Sequence, residues 1–361
     1  MFAAVRMRGV ILVESSSSDV SSPYQLQYRT DLQVPNNPDI NTHSIVQVHY
    51  VSLNRRDYWM TQGLYPKIIS GSIIGSDCSG VVVSGNSQWN GQQVVVNSGV
   101  DFGNKTTGQN LQFGVLGMLP LPGTLCEYLL ISNNQLHRLP STLSLQQSST
   151  LPVAALTAYR AAFTQSNIKS NQLVLITGAG GGVSTFLISF AVAAGSHVIV
   201  TSSSQHKIQQ AITMGAKHGF NYKQKTFIGE VQQYCAVHGY SGIDVVIDGS
   251  GGELLNSYIK LLAIGGTICI YGATASQQLT TPVLLHSLFL KQIKLIGSTM
   301  GSSREFSDMI QFIDQHSIQP LIHKIFKLNE IDDAMHMLKN STQMGKIVID
   351  VVHGNTNTSK L

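Results

Sequence analysis

A chain of 361 residues is long for one ordinary core and predicts two domains. Charged residues make up 12% of it, about half the usual ~25%, and the net charge of +4 comes without any block of like charges, which argues against a dedicated nucleic-acid surface. No apolar run approaches the ~20 residues that span a bilayer, and Cys78, Cys126, Cys235 and Cys269 stand far apart with no CxxC pair, so neither a membrane partner, a disulfide framework nor a common zinc cluster is expected.

The first stretch, MFAAVRMRGVILVESSSS, carries Arg6 and Arg8 among its apolar residues and no small-residue cleavage pattern. A signal peptide is therefore not expected, and a cytoplasmic location is. FAAVRM, YQLQYR, SIVQVHYVSL, SGVVVS, QQVVVN and LCEYLLI, split by Ser, Pro, Asn and Gly clusters, predict a mainly β region over roughly the first 140 residues. The Ser/Gln-rich connector STLSLQQSST (141–150) leads into LPVAALTAYRAAF, which reads as a helix. From Leu173 the pattern changes. The strand LVLI, the helix VSTFLISFAVAA, the strand HVIV, the helix HKIQQAITMG, the strand IDVVID, the helix GELLNSYIKLLAIG and the strands TICIYG and IKLIGS predict a parallel sheet covered on both faces. Two amphipathic helices follow, with apolar residues at Phe306, Met309, Ile310 and Ile313 and at Ile331, Ala334, Met335 and Leu338. The last strand, KIVIDVV, is free to return to the first domain, and the tail HGNTNTSKL (353–361) is expected to be disordered.

The segment LVLITGAGGGVSTF (173–186) runs an apolar strand into a glycine cluster. Aligned as Ala179-x-Gly181-x-x-Ser184, it lets a pyrophosphate approach the backbone at Gly181, and the helix that follows turns its N–H groups toward the anion. Two of the three fingerprint positions are not glycine, so a tight turn without a ligand is the alternative. The next strand ends in Thr201-Ser202-Ser203-Ser204, with Lys207 close behind, where NAD-binding chains carry a carboxylate for the ribose hydroxyls. Hydroxyls plus a cation suit the 2′-phosphate of NADP; the alternative is an N-cap, Ser204, beside a solvated lysine. Both features in one strand–helix–strand unit favour the phosphate.

Taken in order, SLNRRDYWMTQGLYP, IIGSDCSGVVVSG, GTLCEYLLISNNQLHRLP, LPVAALTAYRAAF, LVLITGAGGGVS, HVIVTSSSQHKI, MGAKHGFNY, GIDVVIDGSGG, GGTICIYG and GKIVIDV resemble the medium-chain dehydrogenase/reductase superfamily, near its zinc-free quinone-oxidoreductase-like branch. A subgroup labelled zinc-type alcohol-dehydrogenase-like carries GGVS and TSSS in these places. The resemblance implies an α/β fold with a mostly-β GroES-like catalytic domain, 1–142 and 299–361, and a Rossmann domain with a doubly wound parallel sheet, 143–298. It implies NADP(H) contacts from Thr157, Gly180, Gly181, Gly182, Val183, Ser184, Ser202, Ser203, Lys207, Tyr222, Gly249, Ser250, Gly272, Ala273 and Thr274. Homodimers are usual in the family.

Alcohol dehydrogenases of this superfamily hold catalytic zinc with Cys, His and Cys. The matching positions here are Asn54, Ser76 and Val153, and NSGVDFGNKTTGQNLQF stands in place of the four-cysteine structural lobe, so no metal is expected. The resemblance sets SLNRRDYW beside the nicotinamide. Asn54 takes the first ligand position, Arg56 that of the hydroxyl residue that meets alcohol substrates, and Tyr65 that of a cleft tyrosine, while Trp59 replaces a second tyrosine of the branch. An Arg56–Asp57 ion pair and a turn-shaping Tyr65-Pro66 are the alternatives. Arg304, after Gly301-Ser-Ser, is set at the nicotinamide end. The implied function is NADPH-dependent, zinc-independent hydride transfer to a small quinone or α,β-unsaturated carbonyl. The rivals are a zinc-free alcohol dehydrogenase or aldehyde reductase, and an NADPH-binding protein of little turnover with an RNA or regulatory role.

Overall fold

Alternating apolar and polar residues in the first part of the chain build antiparallel strands, and continuous apolar runs after Leu173 build parallel ones. The computed structural model describes residues 6–15, 22–66, 68–103, 105, 107–276 and 282–352; the tail 353–361 lies outside the described residues. The chain divides into two compact units, Met1–Ala154 with Ser302–Leu361, and Ala155–Gly301.

In the first unit His43–Ser52 is the hub. It pairs antiparallel with Asp77–Ser84, with Tyr128–Ser132 and with Lys346–Asp350, the last in the register Val348 opposite Ser52. The C-terminal strand thus returns to the β unit, as its position after the last helix allows. Ile322–Lys327 pairs parallel on its outer side, a strand that the sequence IHKIFK, with two lysines and a histidine, does not announce. Arg6–Glu14 and Tyr24–Gln33 form a separate antiparallel pair. Val46, Val48, Val51, Ile74, Cys78, Val94, Leu129, Ile347 and Ile349 make one apolar core. Ile331, Ala334, Met335 and Leu338 face it from the helix Ile331–Asn340, all buried as their spacing requires. Residues 145–154 belong here because Ser79 Oγ donates to the Leu145 carbonyl (2.6 Å) and the Val153 N–H donates to Asp77 Oδ1 (2.9 Å). All four cysteines are free and buried.

The second unit is a sheet in the order His218–Asn221, His197–Ser202, Leu173–Ile176, Ile243–Asp248, Leu262–Ile270, Lys294–Gly297, every pairing parallel. In sequence rank this is 3-2-1-4-5-6, the order of a dinucleotide-binding Rossmann sheet, with its switch point between Leu173–Ile176 and Ile243–Asp248. The registers Ile176 opposite Val200, Ser202 opposite Asn221, and Ile176 opposite Ile247 bring the carboxyl ends to one edge. One expected element is corrected. The helix read through GELLNSYIKLLAIG stops at Leu261, and Leu262 opens the next strand. Leu262 is already extended, at φ -66° and ψ 146°, and Gly265, at φ 77°, lies in the stretch of that strand where the pairing with Ile243–Asp248 is irregular. Among the described residues no helix is long and apolar enough to cross a membrane.

Candidate functional site

At the carboxyl edge of the Rossmann sheet, Gly178 turns the chain at φ 62° and the Gly181 N–H donates to its carbonyl (3.0 Å). The helix Gly182–Ala193 starts immediately, and its N-cap, Gly181, has no side chain to cap the first turn. Uncapped N–H groups and the positive end of the helix dipole therefore meet at Gly180–Val183. Ser184, 3% exposed, donates its hydroxyl to the Gly178 carbonyl (2.7 Å), with the Thr177 carbonyl at 3.2 Å. The serine in the last fingerprint position is thus bonded into the turn that the glycines make.

Across the switch point Thr177 Oγ1 donates to Asp248 Oδ1 (2.6 Å), and the fully buried Asp248 carboxylate also accepts the N–H groups of Ser250 and Gly251 (3.0 Å each). This brace shapes the loop Gly249-Ser250, and Thr274 Oγ1 ties it to the end of the next strand by donating to the Gly249 carbonyl (3.2 Å). Gly249 is needed as glycine, since a Cβ there would lie 2.3 Å from the Tyr271 ring. Gly272 and Ala273 are half-buried beside it, and Thr274 is exposed. Thr157, 6% exposed, lies apart on Leu156–Tyr159 and donates to Met300 Sδ (3.8 Å).

Ser202 and Asn221 are register partners, so Ser202-Ser203 and Tyr222 leave neighbouring strand ends together. Ser202 is buried and accepts the Ser204 N–H (3.1 Å), while Ser203 is exposed. Ser204 is an N-cap, accepting the Lys207 N–H (3.4 Å), as the simpler sequence reading has it. Yet the Lys207 side chain is not a free solvated arm. It lies across Gly180, where a Cβ would meet its Cδ at 2.5 Å and its Nζ at 3.0 Å. A cation thus overhangs the glycine turn, and the hydroxyls stand nearby in sequence and on the same sheet edge. The residues present suit a phosphorylated dinucleotide.

The expected catalytic residues form a second cluster, in the β unit. Asn54 caps the short helix Arg55–Thr61, whose first turn Asp57 closes by accepting the Asn54 N–H on Oδ2 (2.8 Å). Arg56 points inward and is 7% exposed. Its Nη1 donates to Ser76 Oγ and to the Leu116 carbonyl (2.8 Å), while its Nη2 is buried with no hydrogen-bond partner. Its guanidinium carbon is 5.5 Å from the centre of the Tyr65 ring, which stacks in turn on Trp59 (6.4 Å, 20°). Burial raises the Tyr65 hydroxyl above its ordinary pKa, against the pull of Arg56, so the phenol keeps its proton. Asp57 is the nearby counter-charge rather than a bonded ion-pair partner. Burial pushes its carboxyl up to about 6, opposed by Arg56 and by the Asn54 N–H. Arg304 is 88% exposed in its side chain, with its Nε 3.9 Å from Asp308 Oδ2.

One participant was not singled out from the sequence. Lys346, 3% exposed at the start of the C-terminal strand, donates to the Leu53 carbonyl (2.8 Å), Asn54 Oδ1 (2.6 Å) and Asp77 Oδ2 (3.2 Å). Only its place before the apolar run 347–349 hints at burial, and a lysine there ordinarily reads as surface. The three positions matched to zinc ligands fare poorly as a metal site. Asn54 is bonded to Lys346 and Asp77, Ser76 Oγ donates to the Leu116 carbonyl (2.9 Å), and Val153 offers no side-chain donor. Zinc needs thiolate, imidazole or carboxylate, and a buried ammonium beside Asp77 disfavours a second cation. Among the described residues no group of three or more His, Cys, Asp or Glu side chains is placed to hold a metal.

Comparison with known proteins joins the two clusters to one family. Residues 41–141 match the description "Alcohol dehydrogenase GroES-like domain" and residues 182–315 match "Zinc-binding dehydrogenase". The chain is 30% identical to the zinc-type alcohol dehydrogenase-like protein YogA of Leptosphaeria maculans, over 91% of this chain and 96% of that one. It is 24% identical to a quinone oxidoreductase of Pongo abelii over 92% and 95% of the two chains. The crystal structure of an NAD-dependent alcohol dehydrogenase superposes with a TM-score of 0.84 at 27% identity, covering 96% of this chain and 100% of that one. Likeness of this extent in both sequence and fold means that the chain belongs to the medium-chain dehydrogenase/reductase superfamily of oxidoreductases.

Proposed function

We propose that the protein is an NADPH-dependent, zinc-independent reductase of small quinones or α,β-unsaturated carbonyls. In this reading the unit Ala155–Gly301 holds the cofactor, and the β unit receives the acceptor. The observation that carries the acceptor side is Arg56, a buried guanidinium with Nη2 left unpartnered. An unmet buried donor costs free energy unless a ligand oxygen meets it, and a developing oxyanion is the acceptor that gains most. NADPH would supply the hydride. Arg56 would then hold the oxygen on which charge collects, and Tyr65, kept protonated by burial, or water would return the proton. Asn54 orients the helix rather than reacting, since both ends of its amide are engaged.

On the cofactor side, the Gly180–Val183 turn would take the pyrophosphate, with Ser202, Ser203, Tyr222 and Lys207 at the adenosine phosphate. Thr157, Gly249, Ser250, Gly272, Ala273 and Thr274 would line the remainder, with Ser184 closing the turn. The engaged side-chain oxygens of Asn54, which accepts from Lys346, and of Ser76, which donates to Leu116, support independence from zinc. The test is NADPH oxidation by the purified protein with 1,4-naphthoquinone, 2-cyclohexen-1-one and an aldehyde, and NADP reduction with a primary alcohol. Turnover of the first two far above the others supports the reading. Preference for the aldehyde and alcohol would favour a zinc-free alcohol dehydrogenase, and NADPH binding without turnover a binding protein.

A further inference from the structure

We infer that Lys346 is a positioning residue for Arg56, holding the acceptor-binding guanidinium in place from the far end of the chain. The inference rests on the proposed role of Arg56. Four charged side chains are buried together: Arg56, Asp57, Asp77 and Lys346, exposed by 7%, 0%, 0% and 3%. Two cations and two carboxylates balance, but the pairs are not alike. Lys346 and Asp77 are in direct contact, while Arg56 reaches neither carboxylate and bonds to a hydroxyl and a carbonyl instead.

An ammonium has three protons and no acceptor. Lys346 has three oxygen partners, Leu53 O, Asn54 Oδ1 and Asp77 Oδ2, one for each proton. That chemistry also fixes the Asn54 amide. The atom facing Lys346 must be the oxygen, so the nitrogen faces Asp77, to whose Oδ2 it donates at 2.8 Å. Asp77 in turn accepts the Val153 N–H and the Ser98 hydroxyl on Oδ1 (2.9 and 3.3 Å). Asn54 and Asp77 are therefore each held from a second side, and the Leu53 N–H donates to the Ile347 carbonyl (3.0 Å). Leu53 and Asn54 are the two residues immediately before the helix Arg55–Thr61. Their positions set where that helix starts, and Arg56 is its second residue. The bonds of Lys346 end two or three residues from Arg56, without touching it.

Without the ammonium, Asp77 keeps a buried charge with no cation in contact, the Asn54 amide is free to turn over, and the start of the helix loses two anchors. Displacement of a binding group by roughly 1 Å is enough to cost about a hundredfold in turnover. A merely structural lysine would instead lower stability and leave the folded enzyme's acceptor kinetics alone.

The test compares Lys346→Met with the double variant Lys346→Met/Asp77→Asn, in which neither member of the pair leaves a buried charge behind. Thermal unfolding, NADPH affinity by fluorescence titration, kinetics with 1,4-naphthoquinone and a crystal structure are measured for each. The expected result in the folded double variant is a loss of acceptor kcat/KM of about tenfold or more, NADPH Kd within about twofold of wild type, and a guanidinium moved by roughly 1 Å from the Leu116 carbonyl. Lys346→Arg, which restores a cation, should recover part of the loss. Wild-type acceptor kinetics in the folded double variant, or an Arg56 that stays in place in its crystal structure, overturns the inference. The crystal structure decides it even if naphthoquinone is not turned over by the wild type, an outcome that counts against the proposed function instead.

Discussion

The Ser184 hydroxyl donates to the carbonyl of Gly178, at 2.7 Å, inside the turn that the glycine fingerprint forms. Its proton is spent on backbone that precedes the helix, so the side chain works for the turn and not for a ligand. Ser184→Ala should therefore destabilise the protein by about 1 kcal/mol, the usual value of one net hydrogen bond, with NADPH affinity within about twofold of wild type. Urea unfolding and cofactor titration check the two halves. A tenfold loss of affinity without a change in stability would make Ser184 a ligand contact.

Lys207 separates two phosphate assignments. Its ammonium end lies over Gly180, yet its helix starts directly after the Ser202–Ser204 hydroxyls. With the 2′-phosphate as partner, Lys207→Ala should weaken NADPH by about 1.5–3 kcal/mol, roughly ten- to a hundredfold, and leave NADH nearly unchanged. Equal losses for both cofactors would move the ammonium to the pyrophosphate. Titration of both nucleotides into one variant gives the answer.

The second unit was the more legible from sequence, because strands buried on two faces are written as apolar runs. LVLI, HVIV and IDVVID read directly. HGFN did not, because an edge strand of four residues (His218–Asn221) needs no apolar run to pair with its neighbour. The limit of the helix before Leu262 is hidden because LLAIG continues a helical period, while Leu262 turns extended where it pairs with Ile243. At the site, resemblance brought Asn54, Arg56 and Tyr65 to attention, and the structure places them in one cluster. Lys346 escaped because three oxygens from residues 53, 54 and 77 surround it, and sequence spacing does not display such an encounter.

Asp57 gives a pH dependence with a definite sign. Burial raises its carboxyl from 3.8 to about 6, and Oδ1 has no hydrogen-bond partner. The folded state binds this proton more tightly than the unfolded state. Its favourable contribution is complete below pH 3.8 and is lost as the pH rises to about 6. At neutral pH the ionised group costs about 3 kcal/mol, on the scale of roughly 1.4 kcal/mol per pKa unit. Asp57→Asn keeps an acceptor for the Asn54 N–H and should be more stable than wild type at neutral pH, with the gain shrinking on acidification to about pH 4. Urea unfolding at the two pH values tests this. An equal stability difference at both would mean that the carboxyl is not raised.

Arg56 bears the most direct test of the chemistry. Its guanidinium carries the open Nη2, and its Nη1 is committed to Ser76 and Leu116. If the guanidinium meets the oxygen on which charge develops, its loss is felt in the transition state and not in cofactor binding. Arg56→Ala should lower kcat/KM for a quinone or enone by about 10²–10³, with NADPH affinity nearly unchanged. Arg56→Lys should recover little, because an ammonium on a shorter, unforked side chain cannot keep the Ser76 and Leu116 contacts while presenting a second nitrogen. Tyr65→Phe should cost less than Arg56→Ala, since water can deliver the final proton. Its effect should fall on kcat more than on KM, because the phenol is needed after hydride transfer. Steady-state kinetics with 1,4-naphthoquinone and 2-cyclohexen-1-one, alongside NADPH titration, distinguish these outcomes. Full activity in a folded Arg56→Ala protein would reduce the arginine to a packing and charge partner of Tyr65 and Asp57, and the acceptor would have to be held by other residues.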